Sequence, residues 1–125
     1  MDLFNSKMFV KKNDEQFFDK SVRYNLHNND NDIIIDLPST FNIQTNIDFV
    51  IRDGLNKQGD ILTYEDIDYN NEILKKYKYV LFGTVFQINN DSIIISCGGL
   101  IVYVSGKFQN IKQYYQKQNV FILIN

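Results

Sequence analysis

The chain has no alanine and no tryptophan, and only one proline, one cysteine and one histidine. Each scarcity excludes something. Alanine is the best helix former, so its absence beside 17 isoleucines, 10 phenylalanines and 8 tyrosines predicts strands joined by turns. A lone Cys97 forms no internal disulfide, which excludes a bridge-rich secreted scaffold and points to a reducing compartment. Zinc sites take about four Cys or His ligands, and Cys97 and His27 are the whole supply. No apolar run approaches the roughly 20 residues of a membrane span; the longest are 100–104 and 120–124. The first twelve residues mix Asp2, Asn5, Lys7 and Lys11 among apolar ones and form no signal-peptide core. A soluble intracellular protein without metal or cofactor is expected.

The 125 residues fit one domain, 1–125, able to bury about two-thirds of its unfolded surface. Alternating apolar and polar residues predict strands over 3–11, 17–27, 32–37, 47–53, 78–88, 92–97, 100–105 and 119–124. Polar residues 13–16 mark a break, and Asn28, Asn29, Asp30 and Asn31 a hairpin turn, because Asn and Asp bond their own backbone. Residues 54–76, acidic and without period, read as a long surface loop; 108–116 reads as a short helix or ordered loop. Eight closely spaced strands predict an all-β fold, an antiparallel sandwich or small barrel. Phe18, Val22, Phe49, Phe86 and Ile122 are assigned to its core.

Catalytic chemistry is sparse. His27 ends a strand beside an Asn-rich turn and reads as solvated surface; Cys97 reads as a small buried residue. Residues 28–32 lack the glycine and the closing glutamate of a calcium loop. Gly98 and Gly99 precede a strand, not a helix, so they build no phosphate cradle. No enzyme is expected.

Two binding readings stand. Residues 73–125 hold six lysines and one acid, Asp91, whereas residues 1–63 carry seven basic and ten acidic side chains. A barrel with lysines and exposed rings suits a single-stranded nucleic acid, with Lys78, Lys107 and Lys112 following phosphate and bases stacking on Tyr79 and Tyr103. Alternatively, adjacent Gly98 and Gly99 mark a bulge, a sharp bend or a close approach of another backbone. Leu100 and Tyr103 follow them in a strand that is apolar on both faces, and Tyr79 and Phe82 lie in a second such strand. Two such strands suggest more apolar surface than one core absorbs, as in an obligate subunit of an assembly.

Residues 79–88 (YVLFGTVFQI) and 96–106 (SCGGLIVYVSG) resemble the two signature strands of the shared small subunit eight of eukaryotic RNA polymerases I, II and III. The family patterns run Tyr-Val-Met-x-Gly-x-Val-Tyr and Ser-x-Gly-Gly-Leu-Leu-Met-x-Leu-x-Gly. Phe18-Asp19-Lys20 leading to Arg23 resembles the family's Phe-Asp-Arg-Val-Ser-Arg, and Ile35-Asp36-Leu37 its Leu-Asp-Val. Residues 48–51 and 120–123 resemble its Asp-x-Phe-x-Leu-x-Ile and its closing Val-Tyr-Leu-Leu. Cys97 stands where the family usually has an aromatic residue. The resemblance spans about residues 8–124. It implies an eight-stranded antiparallel barrel related to the oligonucleotide-binding fold, in the nucleus. It also implies docking on the largest polymerase subunit away from the active centre, with no catalytic residue, cofactor or direct nucleic acid contact. On this reading Gly98, Gly99, Leu100, Tyr103, Tyr79 and Phe82 are the partner-contact candidates.

Overall fold

In the computed structural model the described residues are 2–18, 21–53, 75–108 and 111–125, with the backbone alone described over 12–18. Period-two patterning sets the strands. In β3 (Asn31–Pro38), Ile33, Ile35 and Leu37 are buried while Asp32 and Ile34 face outward. In β4 (Asn46–Arg52), Ile47, Phe49 and Ile51 point inward, as expected. The other strands are β1 (Asp2–Phe18), β2 (Ser21–His27), β5 (Tyr79–Ile88), β6 (Ser92–Cys97), β7 (Leu100–Gly106) and β8 (Asn119–Ile124).

Every pairing is antiparallel, and the strands close into a barrel in the order β1-β2-β3-β7-β6-β5-β8-β4, with β4 pairing back onto β1. Closure removes the open edges that would otherwise pair with other chains. Side chains fill the interior, as eight strands allow: Met8, Leu26, Ile35, Phe49, Ile95, Val102 and Ile122 are at most 1% exposed. Of the expected core residues, Val22, Phe49 and Ile122 are buried, and the side chain of Phe18 lies outside the described residues.

Phe86 corrects the sequence reading, being 63% exposed. β5 is apolar on both faces, so its period does not distinguish inside from outside. The register against β6 then slips between Val85 and Gln87, and this bulge leaves Phe86 facing solvent. The break expected at 13–16 shows as an interruption of register inside β1 and not as its end. β1 continues to Phe18, with only an irregularity between Lys12 and Phe17, and Phe17 pairs with Val22. The ladder with β2 is interrupted where Asn, Asp, Glu and Gln stand, residue types that disfavour strands, and it resumes at Phe17. The hairpin turn at 28–31 forms as expected: the Asn28 side-chain oxygen accepts from the backbone N–H groups of Asp30 and Asn31, at 2.9 and 2.7 Å.

Both barrel ends are closed by connections. At one, loop 39–45 stacks Phe41 on Tyr79, with centroids 4.2 Å apart. At the other, a 3-10 helix (Ile111–Gln113) leads to Tyr114, whose buried hydroxyl donates to the Leu3 carbonyl at 3.1 Å. The 3-10 helix falls within the stretch expected to be a short helix or an ordered loop. The acidic loop expected over 54–76 lies almost wholly outside the described residues.

Candidate partner-docking surface

Gly98 and Gly99 are the two residues between paired Cys97 and Leu100, so β6 and β7 join through a two-residue hairpin. Their φ values, 60° and 93°, suit the primed turn whose twist matches the flanking strands, a conformation that other L residues adopt at a cost. An added Cβ at either would meet nothing within 4 Å. The turn geometry accounts for the glycine pair; among the described residues no other backbone of this chain comes close. The tip is exposed at the barrel end that loop 39–45 covers.

Gly83 differs. A Cβ there would lie 2.6 Å from the Cys97 sulfur and 2.7 Å from Ile95 Cγ2, so β5 and β6 approach each other through this glycine. The contact places Phe82 and Gly83 beside the hairpin. Burial pushes the Cys97 thiol up to about 12, which keeps it neutral and unreactive, in keeping with the structural reading of this residue.

The other candidate residues divide. The Leu100 side chain packs against the core and is not offered outward. Phe82 lies edge-on to Phe121, with centroids 5.3 Å apart, and joins Tyr77 and Val80 over a second apolar cluster of Val50, Phe121 and Leu123 on the outside of β4, β8 and β5. Those three are at most 1% exposed, so β8 is buried on both faces. Burial is the main reason the Tyr77 phenol is raised above its usual pKa. Tyr79 is held by the Phe41 stack, and its hydroxyl accepts from the Asn42 N–H at 2.7 Å.

Tyr103 stands on the outer face of β7, directly opposite Ile34 of β3 on one side and Ile94 of β6 on the other. Two residues away on the same face is Ile101. Ile34 and Ile101 are 40% and 38% exposed, and Ile94 and Tyr103 are half-buried. This apolar row, which the sequence reading located only through Tyr103, is the open counterpart of the covered cluster on β8. Its members were visible as outward positions of strands apolar on both faces, but only the strand order sets them side by side.

The three lysines of the nucleic-acid reading do not line one groove. Lys78 immediately precedes β5, its ammonium 3.3 Å from the Asn42 carbonyl. Lys107 and Lys112 lie toward the opposite end, where Lys107 is 3.7 Å from Asp30. His27 is exposed beside the ring of Phe9. No cluster of three or more potential metal ligands occurs among the described residues.

The positions that carried the resemblance thus have structural duties in a closed eight-stranded barrel. A sequence model of RNA polymerase Rpb8 matches residues 2–125. The chain belongs to the Rpb8 family. No curated protein is significantly similar to it. Membership makes the chain a subunit of DNA-directed RNA polymerase and part of a multisubunit complex. Two Rpb8 motifs distant in sequence meet in space: Arg23 of β2 lies opposite Asp36 of β3 and donates to it through Nε (2.8 Å) and Nη2 (3.2 Å). That hydrogen bond raises the Arg23 pKa further. Gly106, the last residue of the second signature strand, has a φ of 114°, and a Cβ there would overlap the Asp30 carbonyl oxygen.

Proposed function

We propose that this Rpb8-family chain is a non-catalytic structural subunit of a nuclear RNA polymerase that docks on the largest subunit and supports assembly of the complex. The observation that carries the reading is the apolar row of Ile34, Ile94, Ile101 and Tyr103, left uncovered beside the exposed Gly98–Gly99 hairpin while the equivalent outer face of β8 is covered. Water-exposed apolar groups arranged contiguously on a rigid sheet gain free energy when a partner covers them. Gly98, Gly99, Leu100 and Tyr103 lie in or beside that row, Leu100 as backbone and packing support. Phe82 lies on the outer face of β5, whereas Tyr79 packs against the interior cluster and Phe41 at the barrel end. A contact of this kind needs no cofactor and brings no nucleic acid to the chain.

The test uses the tagged full chain expressed in its native source. Stoichiometric copurification of the large polymerase subunits is expected, with Ile101→Asp and Tyr103→Asp lowering their recovery at least tenfold without a large change in melting temperature. Gly98→Asn keeps the turn while adding a side chain at its tip, and should lower recovery if the tip is in contact. Undiminished recovery with both aspartate variants would place the docking surface elsewhere. Recovery of nucleic acid in place of the large subunits would overturn the subunit role itself.

A further inference from the structure

β1 is longer than its neighbour β2, and the difference leaves a short stretch of one strand edge open. On one side β1 pairs with β4 from Asp2 to Phe9; on the other, pairing with β2 begins only at Phe9, opposite His27. Residues 3–7 therefore run past the end of β2, an overhang of about 13 Å at the usual strand rise. Hydrogen bonds alternate along an antiparallel ladder, so its phase tells which groups point outward. The Val10 N–H donates to the Thr45 carbonyl, and Asp48 exchanges both its backbone bonds with Asn125. In that phase Met8, Ser6 and Phe4 bond toward β4, whereas Lys7 and Asn5 turn their amides and carbonyls to the β2 side. There the Asn28 side-chain amide donates to the Lys7 carbonyl, and the Tyr114 hydroxyl to the Leu3 carbonyl, both at 3.1 Å. Between these two plugs the N–H and carbonyl of Asn5 and the N–H of Lys7 meet no hydrogen-bond partner among the described residues.

The edge opens into a groove of about 340 Å³, with residues 3–6 of β1 on one wall and Asn31, Lys107 and Phe108 on the other. Charge does not select what fits there. Asp2 pairs with Arg52 at 2.6 Å, Lys107 lies 3.7 Å from Asp30, and Lys7 stands opposite Asp48. The main chain does select. Outward N–H and C=O groups at strand spacing are matched by the backbone of an extended chain, which adds as a further strand. A helix has already spent its own backbone groups, and a nucleic acid finds no basic track along balanced charges. Side chains alternate along a strand, so the residues on either side of the one facing Asn5 turn to the inner wall. That wall is aromatic: Phe4 and half-buried Phe108 lie 6.1 Å apart, and it favours an apolar side chain.

We propose that the open edge of β1 at Asn5 and Lys7 is a strand-addition site, which takes a short extended segment from a neighbouring protein of the polymerase complex. One residue of that segment bonds both backbone groups of Asn5, a second accepts from the Lys7 N–H, and an adjoining apolar side chain packs on Phe108. The two plugs at Lys7 and Leu3 set the length of the added strand. This proposal rests on membership of a multisubunit complex and not on docking through β7.

Two measurements on the full chain test it. Amide hydrogen exchange compares the free chain with the native complex: the Asn5 and Lys7 amides are expected to exchange at least tenfold more slowly in the complex. Photoreactive p-benzoylphenylalanine at the exposed position 7 is expected to capture one segment of another protein of the complex, identified by mass. Proline removes the donor and is tolerated on a strand edge whose N–H faces away from the ladder. Asn5→Pro should therefore lower the capture at least fivefold at nearly unchanged melting temperature, and Asn5→Ser, which keeps the main-chain groups, should not. Loss of the complex itself in Asn5→Pro but not in Asn5→Ser, at the same melting temperature, carries the same meaning. Ser6→Pro, which breaks a bond to β4, should lower the melting temperature far more. Unchanged exchange at Asn5 and Lys7, capture of nucleic acid or of this chain itself, or equal capture with Asn5→Pro would each overturn the proposal. A melting temperature as low in Asn5→Pro as in Ser6→Pro would overturn it too, because the Asn5 amide would then face β4. Loss of the subunit role is read separately, as absence of the large polymerase subunits from the material purified with the parent chain.

Discussion

At the scale of single residues, the same residue type has opposite weight depending on which way a strand presents it. Phe49 and Phe86 both lie in apolar strands, yet Phe49 is fully buried, with Phe4 edge-on at 6.1 Å, and Phe86 is largely in water. Removing a buried ring forfeits its transfer free energy and leaves a cavity, so Phe49→Ala should cost about 3–5 kcal/mol. Phe86→Ala should stay within about 0.5 kcal/mol of the parent, as surface substitutions do. Urea unfolding of the two variants checks both values, and a large loss for Phe86→Ala would contradict the outward bulge. Ile47, Phe49 and Ile51 were legible because β4 alternates cleanly. Phe86 was not, because a bulge inserts one residue and no local composition announces it.

At the scale of elements, the glycines of the signature strands do different work although they look alike in sequence. Gly98 lies in a turn with open space around it, whereas Gly106 brings β7 against the turn at Asp30 and Asn31, where the Asn31 side-chain amide donates to the carbonyls of Ser105 and Lys107. Gly106→Ala combines a positive φ with overlap onto backbone and should cost at least about 2 kcal/mol. Gly98→Asn should cost less than about 1 kcal/mol, because Asn adopts the left-handed region and Asn-Gly suits this hairpin. Chemical denaturation midpoints distinguish the two, and equal costs would contradict the assigned turn geometry. The sequence predicts a bulge, a sharp bend or a close approach of another backbone here; the φ values show the bend, and among the described residues no other part of this chain approaches it.

At the scale of the whole molecule, alkaline pH tests how the barrel is closed. Cys97, near the β6–β7 hairpin, and Tyr114, at the far end, are both buried, and burial raises both above their ordinary values of 9.0 and 10.0. The folded state holds these groups protonated and neutral, while the unfolded chain ionises them at the ordinary values. Their stabilisation is therefore fully present below about pH 9 and is lost as pH climbs toward 12, at about 1.4 kcal/mol per pH unit for each group in its window. Melting temperature should fall between pH 9 and pH 11, with a shallower fall in Cys97→Ala; a flat profile would mean that the two groups are not shielded from water. What the sequence by itself determined was the existence and face of most strands, the turn at Asn28, the buried Cys97 and the family pattern. These depend on residue type and short-range periodicity, which one chain displays directly. The barrel closure of β4 on β1, the Arg23–Asp36 pair, the apolar row around Tyr103 and the outward Phe86 were decided only in tertiary structure. Each depends on strand order or register, and pairing energies between distant segments set those.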